Sequence, residues 1–492
     1  MVGLLGIDIG TTGVRAAIFE PNGRLVADAH VSCSPDAPEP GWAEADPEVW
    51  WRAVVRVLGE LSKSVSFDEV QAVAVVGQAP TAVLVDDAGQ SVRPAILWLD
   101  TRAEAEAREL GTNAYYLGPK LLWLSRKEPE SLARTRHVLQ SHAFIAMRLT
   151  GEAATDPSTA ALCLPLFDSS GGAWVHDACS RVGVTSSQLP AIRRAHDVLG
   201  TITQEAAAAT GLRAGTKVVV GGGDFAAATL GAGVVEEGEA CLMLGTAGNL
   251  LLPLRAPGKD ARLINAHHVG TDRWLSLGGT LSGGAQEWLR YAISRGMNGD
   301  DTAVRGSLPT FEVLDAEASR VPAGSEGLLF LPYLQGERTP IWDVDARGSY
   351  IGLGLHHARG HLWRSLLEGI ALSFVDCQAV VEESGAKLRE VVAANGGGKS
   401  ALFRQILCDA LGVPLSYTPK SGGTVAGAAI LAALGAGIFT SATEARPWRG
   451  EVIRHEPDPA AHAQYRTLLD LRRDSYGGLR SVFERLARIR LG

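Results

Sequence analysis

Two stretches of this chain follow one plan. LLGIDIGTTGVRAAIF (residues 4–19) and EACLMLGTAGNLLLPL (residues 239–254) each run apolar strand, Gly-Thr turn, apolar strand. Their threonines, Thr11 and Thr246, lie 235 positions apart (246 − 11). A supersecondary unit that recurs at this distance points to a duplicated domain. The boundary is expected near 238, giving an N-terminal domain over 1–238 and a C-terminal domain over 239–492. From the residues alone, two unrelated hairpins remain the alternative. The 492 residues leave room for two or three domains, each with a sizeable core.

Between the two hairpins the pattern is mixed α/β. DPEVWWRAVVRVLGEL predicts a helix, with Asp46 as cap and Pro47 in the first turn. VQAVAVVGQ and RPAILWLD predict buried strands, and PNGRLVADAHV predicts a turn followed by a strand. TKVVVGGGD predicts a strand that breaks at Gly221-Gly222-Gly223, and FAAATLGAG predicts a helix.

AANGGGKSALF (393–403) ends like a phosphate loop, but the motif G-x-x-x-x-G-K-[ST] requires glycine where Ala393 stands. That leaves a glycine-rich strand-to-helix turn, Asn395 to Gly398, in need of another role. The Gly-Thr hairpins are the better phosphate holders. Glycine lets backbone N–H groups approach an anion, and the Thr11 and Thr12 hydroxyls can donate to its oxygens. Gly245-Thr246 supplies the matching turn. Asp8 lies inside an apolar strand, where a carboxylate is costly without a cation or donors. It faces Mg²⁺ through water or else satisfies the turn backbone. Asp224 follows three glycines at a strand end. It can cap the next helix, accept a proton from an attacking hydroxyl, or do both. In HHARGH, His357 and His361 sit at i, i+4, but no Glu follows His357 and no third ligand is evident. His267-His268 carries no better metal signal.

Composition narrows the partners. A net charge of −8 and a pI near 5.9 argue against a nucleic-acid binder. The six cysteines show no CxxC spacing and are expected to be reduced and structural. No apolar run is long enough to span a bilayer, and MVGLLGIDIG lacks a cationic leader, so a cytoplasmic protein is expected. The Arg-rich end places Leu479, Val482, Phe483, Leu486 and Ile489 on one helical face. Arg472, Arg473, Arg480, Arg485, Arg488 and Arg490 add positive charge. This predicts a terminal helix docked on the body with a solvated cationic side, rather than a membrane-surface helix.

Taken together, these motifs resemble the FGGY carbohydrate kinases, and within them the xylulokinases most. GIDIGTTGVRAAIFEPNGRLV resembles the first phosphate hairpin, PGWAEADPEVWW and RPAILWLDTRA two xylulokinase segments, and VVVGGGD the catalytic-base segment. LMLGTAG resembles the second hairpin, and FLPYLQGERTP and GSYIGLGLHH…WRSLLEGIA the C-terminal pattern. The resemblance spans essentially the whole chain. It implies an α/β fold of two actin-like, ribonuclease-H-like domains around a central cleft. It also implies ATP-dependent phosphorylation of a sugar or polyol hydroxyl, most simply D-xylulose to D-xylulose 5-phosphate. Other ketopentoses (ribulose, L-xylulose) or small polyols (erythritol, glycerol) are alternatives, and a non-catalytic actin-like ATP-binding module is the alternative of another class.

Carried onto this sequence, the resemblance makes Asp224 the catalytic base and gives Asp8 the support of Mg²⁺. Thr11, Thr12, Gly245 and Thr246 would contact the ATP phosphates. Gly283, Glu287, Gly396, Gly397 and Ser400 would lie near the adenosine, so Lys399 would not grip phosphate. The sugar would meet Gln78, Ala79, Pro80, Asp100, Arg102 and Phe225. Three of these depart from the xylulokinase pattern, which has Met-His at 79–80 and Asn at 225. Losing an imidazole and an amide removes hydrogen-bond partners for substrate hydroxyls and should shift sugar preference. Neither nucleic acid nor membrane is an expected partner, and a homodimer is left open.

Overall fold

The computed structural model describes residues 3–258, 260–293, 308–394, 396–419 and 422–489. Asn395 and Arg490 lie outside the described residues. The chain forms two compact units. Unit 1 comprises Met1–Val235, Ala266–Leu275 and Ser421–Gly450, and unit 2 comprises Glu236–Asn265, Ser276–Lys420 and Glu451–Gly492.

Unit 1 is built on strands β1 (Gly3–Ile9), β2 (Gly13–Phe19) and β3 (Leu25–Ser32), helix α1 (Pro47–Leu61) and strand β4 (Val70–Gly77). Helix α2 (Ser141–Thr150), strands β5 (Val198–Thr201) and β6 (Lys217–Gly223), and helix α3 (Asp224–Gly231) follow. The sheet order is β5-β6-β4-β1-β2-β3, with β1, β4 and β6 parallel and β1–β2–β3 an antiparallel meander. As a strand buried on both faces should, β4 is apolar almost throughout. The side chains of β1 alternate. Leu5, Ile7 and Ile9 join Trp50, Val54 and Phe144 of α1 and α2 in one core. Gly6 faces the opposite way, where a Cβ would lie 2.2 Å from the carbonyl oxygen of Val425 on the helix Gly423–Ala436. That helix also meets α3 backbone to backbone: a Cβ on Gly427 would lie 1.8 Å from the Ala227 carbonyl oxygen. This contact fixes α3, and with it the placement of Asp224. The start of α1 is as expected, with Pro47 in its first turn and Asp46 accepting from Glu48 N–H at 2.9 Å. RPAILWLD, by contrast, contributes only Ala95–Ile96 as strand.

Unit 2 contains strands β7 (Glu239–Leu244) and β8 (Ala247–Leu254), part of β9 (Ile264–His267) and most of β10 (Trp274–Leu281), and helices α4 (Gly283–Ala292) and α5 (Arg359–Glu383). Strand β11 (Glu390–Ala394), helix α6 (Ala401–Leu411), strands β12 (Leu415–Tyr417) and β13 (Ile453–His455), and helix α7 (Pro459–Ala487) complete it. Its sheet order is β9-β10-β8-β7-β11-β12-β13. The β7–β8 hairpin repeats β1–β2, and the parallel β7–β11 pair repeats β1–β4.

The terminal helix corrects the sequence reading. The buried face of α7 is Tyr465, Leu468, Leu469, Arg472 and Phe483, whereas Val482, Leu486 and Ile489 are exposed. Arg472 is not a solvated charge. Its guanidinium is paired with Asp376 and donates to the Tyr333 hydroxyl and Ser373 Oγ, each at 2.7 Å. A buried ion pair on unit 2 therefore overrides the apolar periodicity. Among the described residues no helix is long and apolar enough to cross a membrane, and all six cysteines are free thiols.

Candidate active site

In unit 1 the register of three parallel strands gathers the predicted residues. Ile9 pairs with Gly77 and Gly77 with Gly223, so β1, β4 and β6 end level. The residues that follow, Gly10-Thr11, Gln78-Ala79-Pro80 and Asp224-Phe225, emerge at one sheet edge. The carboxyl ends of parallel strands are where α/β sheets bind ligands.

The first hairpin turn is closed by Gly10 N–H donating to the Gly13 carbonyl at 2.9 Å. Thr11 Oγ1 donates to Gln78 Oε1 at 3.2 Å and accepts from Trp98 Nε1 at 3.1 Å, tying the turn to the end of β4. The Thr12 side chain is exposed. Asp8 stands opposite Val76 and Arg15 in the sheet. Its Oδ1 is shut off from solvent and has no hydrogen-bond partner among the described residues. Burial above all, and then the charge of Asp224, push its carboxyl up to about 8, while Arg15 pulls the other way.

Asp224 owes its position to a bulge. The β4–β6 register shifts between Val219 and Gly222, and Gly221 takes φ +79°, where a Cβ would lie 1.8 Å from the Val75 carbonyl oxygen. A bulge beside an active site re-aims the side chains that follow it. The helix cap is Gly223 rather than Asp224, which opens the helix proper. Its Oδ1 accepts from Phe225 N–H at 2.7 Å. Burial raises its carboxyl to about 6, against the lowering effect of backbone N–H groups.

The brace beneath this bend was not foreseen. Ser158 Oγ accepts from Gly223 N–H at 3.3 Å. Asp156, itself buried, accepts from the N–H of Ser158 at 2.8 Å and of Thr159 at 3.3 Å, and from Thr159 Oγ1 at 2.6 Å. The Thr-Asp-Pro-Ser run at 155–158 is a helix-start signature that could have revealed it. Lys120 also escaped notice. Its fully buried Nζ donates to the Ala114 and Tyr115 carbonyls at 2.6 and 2.8 Å, and burial pulls it down to about 7. The loop it holds brings the Tyr115 hydroxyl to the Ala79 carbonyl at 3.2 Å.

The other expected acceptor contacts are unlike one another. Gln78, Ala79, Pro80 and Phe225 are buried at the sheet edge, with the Phe225 ring over Gly223. Asp100 accepts from Ala43 N–H at 2.6 Å and from Arg102 N–H, Nε and Nη2 at 2.7–3.0 Å. The Arg102 guanidinium lies 3.5 Å from the centroid of Trp42. Asp100 and Arg102 thus spend their polar atoms largely on each other and on the backbone.

In unit 2 the second hairpin is held by the start of α4. The N–H groups of Gly283 and Gly284 donate to the Gly245 and Thr246 carbonyls at 2.9 and 3.0 Å. The Thr246 side chain is exposed. Strand β11 pairs in parallel with β7, and a 3₁₀ turn over Gly396–Lys399 follows it. Gly397 packs on Leu244 and Gly398 on the ring of Tyr417. Ser400 caps α6 by accepting from Phe403 N–H at 3.0 Å, and Lys399 is exposed. Glu287 is exposed and paired with Arg290 at 3.2 Å. His357 and His361 accept from the Gly354 and Ala358 N–H groups, and His268 from that of Gly270.

Family models match both units. The N-terminal domain of the FGGY family of carbohydrate kinases matches residues 3–231, and the C-terminal domain of that family matches residues 240–436. The chain is 33% identical to a xylulose kinase of Escherichia coli, over 94% of this chain and 96% of that protein. It is 30% identical to a xylulose kinase of Bacillus subtilis, over 96% of each. The solved xylulose kinase of Rhodospirillum rubrum superposes with a TM-score of 0.87 at 32% identity, covering 98% of this chain and 100% of that one.

Proposed function

The chain belongs to the FGGY family of carbohydrate kinases, and from that premise we propose that it transfers the γ-phosphoryl group of ATP to a hydroxyl of D-xylulose, forming D-xylulose 5-phosphate. The observation that carries the reading is the common sheet edge where Asp8, Thr11, Gln78 and Asp224 emerge, with Asp224 held near 6.

The chemistry follows from that edge. Asp224 Oδ1 is engaged by Phe225 N–H, so Oδ2 takes the proton of the acceptor hydroxyl. As that O–H bond breaks, the oxygen bonds to the γ-phosphorus and the bond to the bridging oxygen of ADP is released. Phosphoryl transfer depends on positioning and charge stabilisation, and a carboxylate near 6 is ionised at neutral pH. Thr11, with its hydroxyl fixed between Gln78 and Trp98, orients the first hairpin toward the phosphates. Thr12 and Thr246 supply further donors to them, and Gly245, without a side chain, lets the turn approach them closely. Gly283, Glu287, Gly396, Gly397 and Ser400 border the adenosine.

The unpartnered, buried Oδ1 of Asp8 suits a divalent cation, directly or through water. Mg²⁺ bound there would neutralise phosphate charge.

The walls around Asp224 support a second acceptor. Ala79, Pro80 and Phe225 offer no side-chain hydrogen bonds, and Asp100 and Arg102 are engaged with each other. A small polyol such as erythritol or glycerol needs fewer directed contacts than a ketopentose. A coupled ADP-release assay across D-xylulose, D-ribulose, L-xylulose, erythritol and glycerol separates the readings by kcat/KM. ADP release with none of them, with ATP still bound, would favour a non-catalytic ATP-binding module.

A further inference from the structure

Unit 2 carries a cavity of about 250 Å³ that the proposed reaction does not use. It lies between the C-terminal half of α5, the middle of α7 and the loop from Tyr333 to Ile341. Its floor is apolar, formed by Pro340, Ile341 and Val380. Its walls carry the guanidinium groups of Arg262, Arg472 and Arg473 and the carboxylates of Asp376 and Glu383.

The hydrogen-bond inventory of those walls is unbalanced toward donors. Asp376 is occupied by both Arg472 and Arg473, and Arg262 holds both Glu383 and Asp260. Arg472 is 2% exposed, yet its Nε has no partner among the described residues. Buried N–H groups of this kind are seldom left unmatched, and each calls for an acceptor. Arg473 engages only its Nε, on Asp376, which leaves its terminal amino groups free to donate. The charges balance, three guanidinium groups against Asp260, Asp376 and Glu383, but the N–H donors left over favour an acceptor-rich ligand. Planar guanidinium forks suit the paired oxygens of a phosphate or carboxylate.

We infer that this cavity binds a small oxyanion, a phosphate- or carboxylate-bearing metabolite. The arginines would hold its charged head, and its carbon skeleton would rest on Ile341 and Val380. The site lies one loop from the nucleotide hairpin. The loop that supplies Tyr333 and Pro340 also carries Glu337 and Thr339. Glu337 accepts from Thr280 Oγ1 at 2.6 Å, and Thr339 Oγ1 donates to the Gly279 carbonyl at 3.1 Å. Both partners are on β10, whose neighbour β8 begins at the Gly245–Thr246 turn.

Isothermal titration of the full chain with inorganic phosphate, and separately with citrate, tests the assignment. Saturating MgADP and constant ionic strength keep the nucleotide site out of the signal. Arg473→Gln is the informative variant, because this side chain is half-exposed and its loss should leave the fold intact. Removing one charged donor is expected to weaken binding by about tenfold or more. Arg480→Gln, on the same helix but outside the cavity, should bind as the wild type does. A stronger response to phosphate than to citrate marks a phosphoester site, and the reverse marks a carboxylate site. Equal affinity in Arg473→Gln and wild type, or no heat from either anion at tens of millimolar, overturns the proposal.

Discussion

Replacing Asp224 with Asn should both stop turnover and stabilise the protein, and the second effect has a definite pH signature. The Asp224 carboxyl is raised from 3.8 to about 6 in the fold, chiefly by burial. Each unit corresponds to about 1.36 kcal/mol, so holding this side chain ionised costs the native state about 3 kcal/mol. The cost has a sign. Between pH 3.8 and 6 the unfolded chain has released the proton while the native protein still binds it, so stability falls as pH rises. Above about 6 both states are ionised and the cost is constant. Asn keeps an Oδ1 to accept from Phe225 N–H and has nothing to ionise. The variant should therefore gain about 3 kcal/mol near pH 7.5 and about half of that near pH 5. At about 2–4 °C per kcal/mol for a domain of about 150–250 residues, the gain amounts to a rise in Tm on the order of 6–12 °C. Scanning calorimetry of ligand-free wild type and variant at both pH values measures it, and ADP release should fall by about 10²–10⁴-fold. A variant with unchanged or lower Tm at pH 7.5 would show that the carboxylate is solvated, and the argument for a tuned base would fail with it.

Four further outcomes can be checked. The acid limb of the kcat/KM profile should titrate near 6, because Asp224 must be ionised to take the hydroxyl proton; a flat profile down to pH 5 contradicts that. Asp8→Asn should raise the Mg²⁺ concentration needed for half-maximal rate by tenfold or more, and Mg²⁺ titrations of the wild type near pH 7 should release protons, since Asp8 sits near 8 without metal. Gly221→Ala should cost several kcal/mol, since a Cβ would overlap the Val75 carbonyl oxygen and φ is +79°; chemical denaturation reads the loss. Phe225→Asn should raise kcat/KM for D-xylulose relative to erythritol by about tenfold, through a restored hydrogen-bond partner, as the ADP-release assay would show.

The strands and hairpins were legible because their signals are local. Alternation, turn residues and an isolated Asp in an apolar run need only a few neighbouring positions. The sheet register is not local, and the meeting of Asp8, Gln78 and Asp224 at one edge depends on it. Ile9, Gly77 and Gly223 are far apart in sequence, and only the parallel pairing brings their ends level. The bulge at 219–222 is hidden for the same reason: GGG announces flexibility but not which carbonyl approaches it. RPAILWLD misled because an apolar run does not say whether a partner strand exists, and only Ala95–Ile96 finds one. Near the chain's end, helical periodicity put Leu479, Val482, Phe483, Leu486 and Ile489 on one face; Phe483 is buried while Val482, Leu486 and Ile489 are exposed, and no pattern within α7 could reveal that Asp376 on α5 would draw Arg472 inward.

The glycines of unit 2 divide into two kinds, and the distinction bears on what each can do. Gly283 and Gly284 lie at a helix start, where free N–H groups would suit a phosphate. Here those N–H groups already donate to the Gly245 and Thr246 carbonyls. They are spent on the shape of the turn rather than left for an anion. A Cβ on Gly283 would lie 2.7 Å from the Gly245 carbonyl oxygen, so the residue is glycine for closeness of backbone. Gly397 and Gly398 likewise make room for Leu244 and Tyr417. If the proposed function holds, direct contacts to phosphate in this unit would fall to the exposed Thr246 side chain, and the open face of Gly396, where a Cβ would meet nothing within 4 Å, would be left for the adenosine. Gly283, Gly284 and Gly397 thus serve the shape of the second hairpin and its neighbours, not an anion.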